Sequence, residues 1–112
     1  MENIRKLNPW FYLIFAGIGE VLWVVALKLS EGFSKLIPSL LTIIFLIFSL
    51  ILLSYSIKEI PMGTAYACWT AIGAIGAVII GMIFFNESTS FIRILFLALV
   101  IVGIIGLKLT IN

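Results

Sequence analysis

Four apolar stretches, at residues 10–29, 36–57, 62–85 and 91–111, take up most of the chain, and only short, charged segments separate them. Each is near the ~20 residues that an α-helix needs to cross the hydrocarbon of a bilayer. Within lipid, a helix satisfies all its backbone polar groups without help from another segment. The expected fold is therefore all-α and integral to a membrane, with four transmembrane helices making one domain over residues 1–112. Of 112 residues, 63% are hydrophobic and 11% charged, against roughly 45–50% and roughly 25% in soluble domains. A water-soluble globular enzyme is excluded. The charges gather outside the stretches or at their ends: Glu2, Arg5 and Lys6; Lys28, Glu31 and Lys35; Lys58 and Glu59; Glu87 and Arg93; and Lys108. Only Glu20 stands alone inside one.

The connections at 30–35, 58–61 and 86–90 leave no room for an extramembrane domain, so the chemistry belongs inside the bilayer or at its surface. Residues 1–8 are too polar and too short for a signal-peptide core; no cleavage is expected there, and no role is assigned to them. The single Cys68 allows no intramolecular disulfide and reads as a small packing residue. No histidine, zinc-ligand spacing or phosphate-binding loop is present, so neither metal nor cofactor is expected. A net charge of +2 gives no reason to expect nucleic acid as a partner.

Orientation follows the Lys/Arg asymmetry between the two membrane faces. In a four-span chain, Arg5, Lys6, Lys58 and Lys108 fall on one face, while Lys28, Lys35 and Arg93 fall on the other. A difference of one residue is close to none, so insertion in both orientations is expected. Two copies then build the inverted repeat that larger transporters encode in one polypeptide. An antiparallel, dual-topology homodimer is the resulting expectation.

Local signals agree with these spans. Pro38 lies in the first turn of the second helix, where its missing N–H costs nothing, and Lys58-Glu59-Ile60-Pro61 closes that helix. Trp10 and Tyr12 suit an interfacial belt. Only fourteen residues separate Arg93 from Lys108, so the fourth span crosses fully if both long side chains snorkel outward. Gly73, Gly76, Ala77 and Gly81 on the third span, and Gly103 and Gly106 on the fourth, let helices approach closely. Either packing within the chain or contact between two chains accounts for them.

Glu20 is the eleventh residue of its twenty-residue span, at a depth where a lone carboxylate is costly and marks function by default. The plain alternative is a permanently protonated, structural hydrogen-bonding group. Burial and a second nearby carboxylate both favour the protonated form of such a group. A cation entering between two of them favours the ionised form, so cation binding and proton release are linked through the same oxygens. That competition is the chemistry of proton-coupled antiport.

Helical spacing puts Gly17 and Trp23 on the face of Glu20, with the Trp23 indole N–H as a donor for the carboxylate. Tyr66 and Trp69 share a face of the third span with Gly73, which leaves room for a ligand or a facing backbone. Their rings attract cations, and the Tyr66 hydroxyl is a hydrogen-bonding group; packing is the plain reading of each ring taken singly. Ser49, midway along Leu40–Leu53, either orients Glu20 or bonds its own helix backbone.

Taken together, the pattern resembles the small multidrug resistance family, and within it the guanidinium-exporter subtype, from about Tyr12 to Lys108. Ala16-Gly-Ile-Gly-Glu-Val-Leu-Trp23 with Ala26-Leu-Lys28 is similar to the family's first helix, and Ser30-Glu-Gly-Phe-Ser-Lys-Leu-Ile-Pro-Ser39 to its first loop. The most specific run is Pro61-Met-Gly-Thr-Ala-Tyr-Ala-Cys-Trp-Thr-Ala-Ile-Gly-Ala-Ile-Gly76, and Gly103-Ile-Ile-Gly-Leu-Lys108 is similar to the subtype's ending. The resemblance implies a multipass plasma-membrane exporter acting as an antiparallel dimer. Glu20 would be the shared proton and substrate site, surrounded by Trp23, Ser49, Tyr66 and Trp69. Trp23 marks the subtype, since multidrug members carry a small residue there. Gly19, in place of a bulky apolar residue, and Val24, in place of Ala or Gly, depart from the pattern. Because valine at this place occurs in paired heterodimeric relatives, a heterodimer with a homologous chain is the alternative assembly.

The leading expectation is export of guanidinium, or of a small substituted guanidinium, in exchange for protons, because planar N–H donors match carboxylates. An exporter of quaternary-ammonium or polyaromatic cations would rely on the aromatic faces alone. A small dual-topology ion channel would need a continuous polar path, which one buried charge does not supply. A noncatalytic membrane subunit would need a larger obligatory partner and would leave Glu20 unexplained.

Overall fold

A computed structural model describes residues 8–110 as four helices, α1 (Pro9–Leu29), α2 (Leu36–Ser56), α3 (Met62–Phe84) and α4 (Phe91–Leu109). All four are long and apolar enough to cross a membrane. Arg5 and Lys6, the rest of the extension before Asn8, and Ile111 lie outside the described residues.

Helix ends follow local chemistry. The Asn8 side-chain oxygen accepts from the Trp10 N–H at 2.9 Å, and Pro9 at the first helical position needs no N–H partner; α1 therefore begins at Pro9. The α1–α2 connection is tied by Ser30, whose buried hydroxyl donates to the Leu27 carbonyl at 2.7 Å and accepts from the Phe33 N–H at 3.0 Å. Glu31, Gly32 and Phe33 then turn through left-handed backbone conformations. Lys35 pairs with Glu31 at 2.8 Å and holds that carboxyl below its ordinary value by hydrogen bonding and charge. Ser90 caps α4 by accepting from the Arg93 N–H at 3.3 Å.

Helix α1 is central, packing against α2 on one side and α3 on the other, while α2 and α3 meet only marginally. A small core of Leu13, Ala16, Ile60, Ala65, Cys68 and Trp69 lies among these three helices. Helix α4 packs mainly on α3 and buries none of its residues. The described residues span 42 × 36 × 19 Å, about two helix diameters in the thin direction. The arrangement is thus an open sheaf rather than a bundle closed around a core. At one end, the ammonium groups of Lys58 and Lys108 lie 5.1 Å from the Tyr55 and Trp10 ring centroids. The Tyr12 ring stands 5.6 Å from that of Tyr55. At the other end Arg93 reaches back to Glu87 at 2.6 Å. Both long cations of α4 thus find partners at opposite ends of the helices.

Candidate functional site

The α1–α3 seam is keyed by three seats. Ile72 fills the place a side chain at Gly17 would need, the Glu20 carboxyl fills that of Gly73, and Val21 fills that of Gly76. Gly73 and Gly76 are therefore used within the chain, as is Gly81, whose side-chain place Glu87 fills, whereas Gly103 and Gly106 have none of the described residues within 4 Å of a side-chain position. The space expected beside Gly73 for a ligand or a facing backbone is taken by Glu20 itself.

Glu20 is half-buried, and its Oε1 has no hydrogen-bond partner among the described residues. The indole N–H of Trp23, one turn further along α1, is also buried and unpartnered. The expected Trp23-to-Glu20 hydrogen bond is therefore not made within this chain. A buried acceptor and a buried donor remain open on one helix face.

Ser49 does neither of the two things its position permitted. Its hydroxyl donates across to the Ala16 carbonyl of α1 at 2.6 Å and accepts the Trp69 indole N–H at 2.9 Å. Ala16 stands four residues before Glu20, so this three-helix relay of α3, α2 and α1 ends one turn from the carboxylate. Its geometry depends on Gly19: a side chain there would come within 3.1 Å of the Ser49 Cβ and 3.2 Å of the Phe48 ring. The departure from a bulky residue at position 19 thus has a packing reason. Ala16 was missed from the sequence because its contribution is a backbone carbonyl, to which side-chain type is no guide.

Trp69 is buried and Tyr66 is 59% exposed, their ring centroids 5.8 Å apart and tilted by 45°. The two rings share a face as the spacing requires, but Tyr66 extends that face beyond the packed part of the chain. Glu20, Ser49 and Trp69 thus gather around the α1–α3 seam, and Tyr66 borders it on an open side.

The sequence profile described as Small Multidrug Resistance protein matches residues 8–100. This chain belongs to the small multidrug resistance family. Among its relatives are proteins named "Guanidinium exporter": one from Yersinia pestis, 51% identical over 100 residues that cover 89% of this chain and 96% of the relative; one from Salmonella typhi, 52% identical over 101 residues; and one from Escherichia coli (strain K12), 50% identical over 101 residues. Each of the last two alignments covers 90% of this chain and 96% of the relative. Four spanning helices and this membership make the small multidrug resistance chain a multi-pass protein of the inner membrane.

Proposed function

We propose that the chain is a single four-helix transmembrane domain that exports guanidinium, or a small substituted guanidinium, in exchange for protons, and that it works as an antiparallel homodimer. Glu20 carries proton and substrate in turn. Trp23, Ser49, Tyr66 and Trp69 surround it. The observation that carries this reading is the unpartnered Glu20 Oε1, an acceptor for the cation, with the Trp23 N–H open on the same face of α1 as a donor for a carboxylate. In hydrocarbon an open carboxylate calls for a proton or a cation. A planar cation whose N–H groups form charge-assisted bonds meets that need better than a quaternary ammonium with no donors. The name borne by relatives at about half identity points the same way.

The second copy supplies what one chain leaves open. It brings a second Glu20 to share one cation, and it covers the side on which Tyr66 is exposed. Two carboxylates release their protons when the cation enters and regain them when it leaves. The exchange therefore follows from competition for the same oxygens.

The test is transport by the purified chain in liposomes under an imposed pH gradient, with guanidinium and tetramethylammonium compared. Guanidinium should move and drive proton flux, while tetramethylammonium should not. Glu20→Gln should bind neither proton nor cation and should abolish coupled flux. Proton-driven guanidinium flux in that variant, or a preference for tetramethylammonium in the wild type, would overturn the reading.

A further inference from the structure

Small residues recur every four positions on one face of α3, at Gly73, Ala77 and Gly81. Across from them α1 presents Glu20, Val24 and Lys28 with the same spacing. An acid is seated on the glycine at each end of this ladder. Glu20 occupies the side-chain space of Gly73, and Glu87, from the segment after α3, occupies that of Gly81. The two glycines are eight residues apart, about 12 Å along the helix axis.

Between α1 and α3, at the Glu87 end, a cleft of about 100 Å³ is walled by Val24, Lys28, Ala77, Gly81, Phe85 and Glu87. The Glu87 N–H donates to the Gly81 carbonyl at 3.0 Å, which holds the acid's backbone over its glycine. Two side chains lining this cleft already carry cations supplied by the chain, Phe85 within it and Glu87 at its rim. The Lys28 ammonium lies 5.2 Å from the Phe85 ring centroid. Arg93 donates from Nη2 to the Glu87 Oε1 at 2.6 Å. One of the resident cations is thus a guanidinium on a carboxylate, the same pairing proposed for substrate at Glu20.

We propose that Glu87 and Phe85 form an outer cation subsite, which takes a small guanidinium cation in competition with the Arg93 and Lys28 side chains and holds it at the water-facing end of the α1–α3 cleft. The proposal rests on the functional reading given above. A carboxylate 42% exposed and paired to a guanidinium 33% exposed is screened by water, so the exchange of one guanidinium for another is nearly balanced in energy. The Phe85 face, now under the Lys28 ammonium, contributes cation–π attraction to whichever cation lies on it. In an antiparallel dimer the two copies place one such subsite at each membrane face.

A purely structural role for the Glu87–Arg93 pair and a cation subsite at Glu87 make opposite demands on its two halves. Breaking a structural pair from either side has the same effect. At a subsite, loss of Glu87 removes the acceptor, whereas loss of Arg93 removes the competitor.

The experiment measures initial rates of guanidinium transport by the full chain in liposomes over a concentration series. Glu87→Gln should raise the half-saturating concentration about two- to fivefold, the size of a part-exposed charge contact, with the saturated rate unchanged. Arg93→Gln should lower it by a comparable factor. This second variant is made together with Lys58→Gln, so that the charge difference between the two faces stays at one residue as in the wild type, and Lys58→Gln alone is measured beside it. Should Glu87→Gln fail to fold, Glu87→Asp takes its place, since the shorter reach also raises the half-saturating concentration. Shifts in the same direction for both halves of the pair, or no shift, overturn the subsite and leave the functional reading intact. A wild-type chain that does not transport guanidinium removes both.

Discussion

The Glu20 carboxyl sits where the first carbon of any side chain at Gly73 would have to go. The residue type at 73 thereby sets where the buried acid points. Gly73→Ala forces either the acid or the α1–α3 seam to move. Overpacking of this kind costs about 1–3 kcal/mol. The variant should show lower thermal stability in detergent and a guanidinium affinity reduced about tenfold or more. Gly103→Ala is the matched control: none of the described residues stands near it, so the fold of the single chain should be unaffected.

The Trp69–Ser49–Ala16 relay calls for a double-mutant cycle. Ser49→Ala leaves the Trp69 indole N–H buried without its acceptor, whereas Trp69→Phe leaves Ser49 still bonded to Ala16. Unfolding in denaturing detergent should give a coupling energy of about 0.6–1.5 kcal/mol, within the range for polar contacts between membrane helices. Additive effects would show that the two side chains pack without a meaningful hydrogen bond.

Trp23→Gly removes the unpartnered indole donor and opens space on the face of Glu20. In the proposed dimer this donor is open to a Glu20 carboxylate, and loss of a hydrogen bond to such a charged group costs about 1.5–3 kcal/mol, roughly one to two decades in affinity. Guanidinium transport should weaken on that scale, while a polyaromatic cation should gain access. Paired transport by folded wild type and variant checks both halves, and an unchanged preference reduces Trp23 to packing.

Single-cysteine labels at the two termini should react from both sides of the membrane in comparable fractions, because four and three basic residues balance across it. Lysines added to one connection should bias insertion. Two oppositely biased versions should regain activity only when made together. Labelling from one side alone would rule out an antiparallel homodimer and direct the search to a second chain.

What could be read from the sequence differed by residue. The lone charge at position 20 and the i, i+3 pairing of Tyr66 with Trp69 are properties of one helix, so periodicity alone locates them. The partner of Ser49 depends on how closely α2 approaches α1. That approach is allowed by Gly19, which in the sequence is only a departure from a pattern. The glycines of α3 and α4 read alike as small surfaces. The neighbours then separate them: Gly73 and Gly76 receive side chains from α1, while Gly103 and Gly106 face open space. Helix α2 likewise ends a residue earlier than hydropathy indicates, at Ser56, with Ile57 serving as its cap. Apolar character does not register where backbone bonding ends.

The seats along α1 and α3 also act as a mechanical key. Glycine lies on α1 for Ile72 and on α3 for Glu20 and Val21. Sliding one helix past the other by a single residue, about 1.5 Å, would drive these side chains out of their recesses. Shear along this joint is blocked, so α1 and α3 travel as one strut. Any motion that turns Glu20 from one membrane face to the other must then tilt the strut as a whole, with the give in the joint to α4, a helix that buries none of its residues.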